Sequence, residues 1–261
     1  MNIVVCIKQV PDTSNMKIDK KTNTLIRTGV KSIINPYDLH GIEEGLRLRD
    51  QFGGKVTVIS MGPAQVKEAL RETISMGVDD VILLSDRAFA GADTLATSYT
   101  LAKAIEKIND VDLIFCGKQA IDGDTAQVGP GIAEHLNIAH ATYVNKINKI
   151  ENKTITLQKD IENGYELLEI EMPALLTFVK EVNEVRFPSI RGILRSREIE
   201  VPVWTANDLD LDNEAIGLDG SPTQVVWVGS PEIEEQGEIF KGKPEEQVNS
   251  LVKKLLEHKV L

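Results

Sequence analysis

Cysteine, positive charge and long apolar runs are all scarce in this chain, and each shortage removes a class of function. Only Cys6 and Cys116 occur among 261 residues, each inside an apolar run. A secreted disulfide framework is excluded, and no zinc-type spacing exists. No apolar stretch approaches the ~20 residues of a membrane helix. The N-terminus, MNIVVCIKQV, moves directly into a strand pattern without a cleavage site, so a cytoplasmic protein is expected. Lys plus Arg number 29 against 40 Asp plus Glu, a net charge of −11, which disfavours a nucleic-acid partner. The histidines (40, 135, 140 and 258) are scattered without an i, i+4 ligand pair, and His135 falls on the polar side of a helix. No GxxxxGK[ST] phosphate loop is present, no GxGxxG follows the first apolar run, and no serine sits in a GxSxG elbow. P-loop hydrolysis, ordinary dinucleotide dehydrogenation and acyl transfer are thereby disfavoured. Apolar residues at 42% with 19 glycines are an ordinary globular content and exclude disorder as the main state.

What is present is an alternation of two patterns. Ile3–Ile7, Lys55–Ser60, Asp80–Leu84 and Val111–Cys116 are short apolar runs of the kind buried on both faces in a parallel sheet. Between them lie helical patterns. One opens at Pro36 with Leu39, Ile42, Leu46 and Leu48, and one at Pro63 with Val66, Ala69, Leu70 and Ile74. A third covers Asp93–Ile108 with Leu95, Tyr99, Ala102 and Ile105 as its stripe, and Gly77 reads as the second helix's C-cap. The predicted fold is α/β, a parallel-sheet, Rossmann-like nucleotide-binding domain. Met16–Asp19 and Thr24–Thr28 read as a hairpin around Lys20–Asn23. Ile147–Ile150, Thr154–Lys159, Tyr165–Glu171 and Ala174–Val179 read as an antiparallel addition. Residues 1–182 are expected to form the nucleotide-binding domain and 183–261 an extended arm. That arm holds an arginine-rich run (186, 191, 195, 197) that prolines 188 and 202 keep from being one helix, an acidic turn-rich stretch, a short strand at Gln224–Val228 and a terminal helix. The arginines are either solvated or a docking strip for an acidic partner.

In an open parallel sheet, ligands bind beyond the carboxyl ends of the strands. The richest such segment is GKQAIDGDTAQVGP, residues 117–130, which combines glycines, short polar side chains and a following helix start. Thr125 and Gln127 supply neutral hydrogen-bonding groups. Spacing alone leaves open whether this is a ligand site or simply a glycine-rich strand–helix connection. Asp122 and Asp124 read equally as a metal pair or as turn chemistry. Cys6 and Cys116 read as small core residues rather than redox thiols.

Several segments in order are more specific: VVCIKQVPD, GVKSIINPYDLHGIEEGLRLRD, SMGPAQVKEALRETISMGVDD, GKQAIDGDTAQVGP and KDIENGYELLEIEMPALLT. Along residues 2–195 the chain resembles the β subunit of electron transfer flavoproteins, the last segment matching the family signature with Asn163 in place of an acidic residue or glycine. The resemblance implies an adenine-nucleotide pocket at Cys6, Asn35, Tyr37, Asp38, Met61 and the loop Gly117, Lys118, Gln119, Ala120, Asp122, Gly123, Asp124, Thr125, Ala126, Gln127 and Val128. DGDTAQVGP and AGADTLATSYTLA resemble the bifurcating subfamily of anaerobic bacteria, in which FAD replaces the AMP of ordinary members. Asp93, Thr94 and Thr97 would then join the cofactor site. The resemblance further implies NADH as hydride donor, a heterodimer with an FAD-bearing α subunit, and electron delivery to ferredoxin and to a flavin dehydrogenase of acyl-CoA or 2-hydroxy-acid type. No side chain is expected to act as acid or base. Ile190, with Arg191 and Arg195, lies where the family docks its dehydrogenase. The rival readings are a non-redox adenine-nucleotide regulatory module and an adenylating enzyme. The second would need a pyrophosphate loop such as SGGxDS where KQVPDTS stands.

Overall fold

The computed structural model describes residues 1–12, 17–19, 24–26, 31–226 and 237–260. The chain folds into two compact units, Met1–Val226 and Trp227–Leu261. In chain order the first contains β1 (Asn2–Cys6), β2 (Gln9–Pro11), β3 (Lys17–Asp19), β4 (Thr24–Ile26), β5 (Ser32–Ile34), α1 (Pro36–Phe52), β6 (Lys55–Met61), α2 (Lys67–Met76), β7 (Asp80–Leu84) and α3 (Thr94–Ile108). It continues through β8 (Leu113–Gly117), α4 (Val128–Leu136), β9 (Ala139–Glu151), β10 (Thr154–Ile161), β11 (Gly164–Glu171), β12 (Ala174–Phe178), α5 (Ile190–Glu198) and β13 (Val203–Trp204). The second unit carries α6 (Pro244–Glu257), whose Val248, Leu251, Val252 and Leu256 are exposed.

Nine strands form one sheet in the order β11-β10-β9-β12-β8-β1-β6-β7-β13. The strands from β9 to β13 in that order pair in parallel; β10 and β11 are antiparallel to their neighbours. Burial on both faces explains the unbroken apolar runs of β1 and β8. One face is covered by α1 and α2 through Ile42, Leu46, Leu70 and Ile74. The other is covered by α3 and α4 through Leu101, Ile105 and Ile132. Phe115 of β8 meets Phe178 of β12 edge to face at 4.8 Å. The fold is the expected α/β class with a mostly parallel central sheet.

Three local expectations change. Ala174–Phe178 is not part of the antiparallel addition: β12 lies between β8 and β9 and runs parallel to both. Its five residues are all buried, the mark of an interior strand. Pro63 precedes a single 3₁₀ turn, Ala64–Val66, and α2 begins only at Lys67. Leu95, expected in the α3 stripe, is 50% exposed. The arginine-rich run is not one helix, as expected: α5 covers only Ile190–Glu198, with Pro188 and Pro202 outside it. Gly77 is the C-cap of α2 as expected, with φ 114°. The β3–β4 hairpin pairs Lys17 with Ile26 and Asp19 with Thr24, while its turn at 20–23 lies outside the described residues. Residues 224–226 form no strand, and the rest of that expected strand lies outside the described residues.

Helix α5 is tied to the body at its first turn. Ser189 N donates to Ser75 O at 3.2 Å, and Gly192 N donates to Ser189 Oγ at 2.9 Å. Gly192 is buried so closely on α2 that a Cβ would collide with Ser75 O. Gly192→Ala should therefore cost about 1–3 kcal/mol by overpacking and speed hydrogen exchange in α5. An unchanged melting temperature would contradict this seating.

Candidate functional site

Because β1, β6, β7 and β8 run parallel, their carboxyl ends emerge at one edge of the sheet. Cys6 and Cys116 are register partners just below that edge, and both are buried. A hydrogen bond with Cys6 and burial push the Cys116 thiol up, so it is a neutral packing group. Met61 ends β6 and packs, partly buried, on the α3–α4 side of the core.

At the start of α1, Asn35 and Asp38 are 1% and 5% exposed. Asn35 does not cap its own helix. Its Nδ2 donates to Gln119 O at 2.8 Å and to Asp38 Oδ1 at 3.0 Å, and its Oδ1 accepts from Ile121 N at 3.2 Å. Asp38 accepts from Lys8 N at 2.7 Å and from Gly117 N at 3.1 Å. Position 117 must be glycine for this approach: a Cβ would run into the Asp38 carboxylate and lie 2.6 Å from Tyr37 Cβ. Tyr37 is half-buried beside two cations, with Lys180 Nζ 4.8 Å and Lys118 Nζ 6.0 Å from its ring centroid. Lys118 Nζ also lies 4.7 Å from the ring of Tyr143.

The loop from Gly117 to Gln127 is held from within. Gly123 N and Asp124 N donate to Ala120 O at 3.3 and 2.9 Å, and Gln119 Nε2 donates to Asp124 Oδ1 at 2.6 Å. Asp122 pairs with Lys8 Nζ at 2.7 Å. Thus each of the two aspartates already has a partner within the protein. Asp124 and Ala126 take left-handed backbone angles, φ 51° and 54°, which a β-carbon disfavours. Such local strain is characteristic of functional loops. Thr125 and Gln127 are exposed, Ala126 and Val128 half-buried, and a Cβ on Gly123 would meet only open space.

Across from this loop lies the first turn of α3. Asp93 caps it, accepting from Leu95 N at 2.9 Å and Ala96 N at 3.1 Å, and Thr97 N donates to Asp93 O at 3.0 Å. Thr94 Oγ1 donates to Gln127 Oε1 at 2.8 Å, bringing the N-termini of α3 and α4 side by side. The structure therefore brings the start of the loop against Asn35 and Asp38, and its end, at Gln127, against Thr94 beside Asp93. It also shows residues that the sequence did not single out. Ser221 Oγ accepts from Asp93 N at 2.8 Å, and Thr223 Oγ1 donates to Asp93 Oδ2 at 2.8 Å. No local signal marks either, since the contacts span about 130 residues. Tyr143 likewise reaches Lys118 only because β9 bulges there, with φ 59°.

Ile190, Arg191 and Arg195 stand apart from this edge, on α5. Ile190 is 82% exposed beside Phe187 and Leu194, also exposed. Arg191 is exposed, but Arg195 Nη1 donates to Val78 O at 2.8 Å and Nη2 to Asp79 O. Arg186 is bound to Glu43 at 2.8 Å and Asp50 at 3.0 Å. A separate groove, lined by Lys55, Asp80, Lys107, Ile199 and Trp204, opens at the amino ends of β6 and β7. It includes none of the residues selected from the sequence.

A doubly covered parallel sheet with a glycine-bearing loop and paired helix N-termini at its carboxyl edge defines the class: a Rossmann-like nucleotide-binding subunit. Residues 22–209 match the family described as the electron transfer flavoprotein domain. The chain is 55% identical over 256 residues, 98% of each chain, to "Electron transfer flavoprotein subunit beta" of Thermoanaerobacterium thermosaccharolyticum. It is 49% identical over 263 residues, the full length of both, to "Caffeyl-CoA reductase-Etf complex subunit CarD" of Acetobacterium woodii. It is 51% identical over 237 residues, 88% of this chain and 84% of the relative, to "Protein FixA" of Azotobacter vinelandii. The chain belongs to the electron transfer flavoprotein family, as a β subunit. Electron transfer, flavin or nucleotide binding and an α-subunit partner follow from that membership. Among the described residues no helix is long and apolar enough to cross a membrane.

Burial raises the Asp93 carboxyl, but hydrogen bonds from Thr223, Ala96 and Leu95 outweigh it and hold it below the ordinary carboxylate range. A depressed pKa gives stability that is present above the unfolded value and lost as pH falls through the folded one. Asp93→Ala should cost about 1 kcal/mol at neutral pH as a lost cap, and the gap to wild type should close below about pH 4. Melting curves of both proteins against pH test this; a gap that persists in acid would contradict it.

Proposed function

We propose that this chain is the β subunit of a bifurcating electron transfer flavoprotein whose nucleotide pocket holds FAD. The observation that carries the reading is the pairing of the α3 and α4 N-termini through Thr94 and Gln127 beside the Gly117–Val128 loop. Two adjacent helix starts favour an extended diphosphate ligand over a single phosphate. The donor set fits: Thr94, Thr97, Thr125 and Gln127 are neutral hydrogen-bonding groups suited to a ribityl chain or ring carbonyls, and Gly123 leaves room. The names of the relatives, among them a subunit of a caffeyl-CoA reductase–Etf complex, support an assembly with a flavin dehydrogenase. A flavin bound there would supply the redox chemistry, hydride acceptance from NADH and electron delivery towards ferredoxin and, with the α-subunit FAD, that dehydrogenase.

This chain's own residues bind and orient. Loop amides and the first turns of α3 and α4 would face the diphosphate, while Cys6 and the neutral Cys116 thiol lie buried at the ends of β1 and β8. Residues 1–182 carry the nucleotide, and 183–261 carry partner recognition. Ile190, exposed at the start of α5 and flanked by Phe187 and Arg191, anchors the dehydrogenase. Arg195 holds α5 in place through the Val78 and Asp79 carbonyls. The α6 stripe buries against the α subunit.

Two measurements test the reading. The purified αβ complex should contain two FAD and no AMP; one FAD with one AMP would leave the non-bifurcating alternative. Ile190→Ala should slow electron delivery to the dehydrogenase about tenfold, the loss of a modest hot spot, and leave NADH oxidation unchanged. Equal loss of both steps would remove Ile190 from docking.

A further inference from the structure

We propose that Asn35 and Asp38 are positioning residues that do not touch the nucleotide: their buried side chains fasten the start of the Gly117–Val128 loop to the end of β1, and the fastening is complete only while Asp38 is ionised. The proposal rests on the reading above that this loop holds the nucleotide, and it names how the loop is kept in place.

Five hydrogen bonds carry the argument. Asn35 grips Gln119 O and Ile121 N, Asp38 grips Lys8 N and Gly117 N, and the two side chains are joined by Asn35 Nδ2 donating to Asp38 Oδ1. Three N–H donors thus converge on one carboxylate, and both of its oxygens are used. Little of either side chain remains exposed for a ligand. A carboxylate only accepts; a carboxylic acid carries an O–H donor. Protonation therefore sets a donor against one of the three N–H groups and weakens one end of the fastening. The charged and titratable groups facing Asp38 are the Lys8 ammonium, itself paired with Asp122, and the Cys116 thiol of β8 with Cys6 behind it. Burial pushes the Asp38 carboxyl up to about 7, against the pull of Asn35, Lys8 and Gly117. The change of state consequently falls near neutrality.

The test is hydrogen exchange on the αβ complex at about pH 8 and about pH 6, corrected for intrinsic exchange rates, with FAD release followed in parallel. Protection of the amides from Lys118 to Asp124 should fall roughly tenfold at the lower pH, the worth of one hydrogen bond. FAD release should quicken with it, and β10 should be unaffected. Asp38→Asn should show low loop protection with no pH step. Asn35→Ser, a milder change that retains the carboxylate, should lower protection at both pH values and keep the step. PH-independent loop protection in the wild type, or an equal loss in β10, would overturn the proposal. A wild type that binds no FAD at either pH would remove the nucleotide reading instead, and the fastening would still be judged by the exchange data.

Discussion

The parallel register of β8, β1, β6 and β7 is the constraint on which the rest depends. Cys6 lies opposite both Ile59 and Cys116, so neighbouring strands end level and their connections leave at one edge. Parallel strands need crossovers that cover the faces, and α1 to α4 provide them. Each crossover then starts a helix at that same edge. The glycine-bearing loop, the Asn35–Asp38 pair and the two adjacent helix starts are consequences of this geometry. A single residue, Gly117, allows α1 to approach β8 closely enough for Asp38 to bind its amide.

Electrostatics take on a different meaning once placed in the fold. The net charge of −11 coexists with an arginine-rich segment that looks, in sequence, like a docking strip. Two of those arginines point inward: Arg186 neutralises Glu43 and Asp50 on α1, and Arg195 binds carbonyls of the α2–β7 turn. Their work is to hold the segment carrying Ile190 against α1 and α2. The exposed surface of α5 sets Ile190, Ile193 and Leu194 among charged side chains that include Arg191 and Arg197. Apolar contact is better suited to an anchor than a field of exposed charges.

Much of the architecture was legible because its signals are local. The strand Asp80–Leu84, the Gly77 cap and the Pro36 helix start follow from periodicity and backbone chemistry within a few residues. Strand order was not legible in the same way. The fully buried run Ala174–Phe178 carries the composition of an interior parallel strand, yet its hairpin-like neighbours suggested an antiparallel one; only long-range pairing with β8 decides. Prolines 188 and 202 showed that the arginine-rich run is not one helix, whereas the short α5 between them was not marked by them. At the site, residues 117–128 were marked by glycines and polar side chains, whereas Ser221, Thr223 and Tyr143 enter through distant contacts and a bulge that leave no local pattern.

The strand-end loop as nucleotide cradle is the claim from which the others follow. A crystal structure of the αβ complex with its native nucleotide tests it most directly. The ligand's diphosphate should lie against residues 117–128 and the first turns of α3 and α4, with the Asn35 and Asp38 side chains behind the loop and out of contact. A nucleotide seated in the groove beside Lys107 and Trp204, or bound directly by the Asp38 carboxylate, would contradict it.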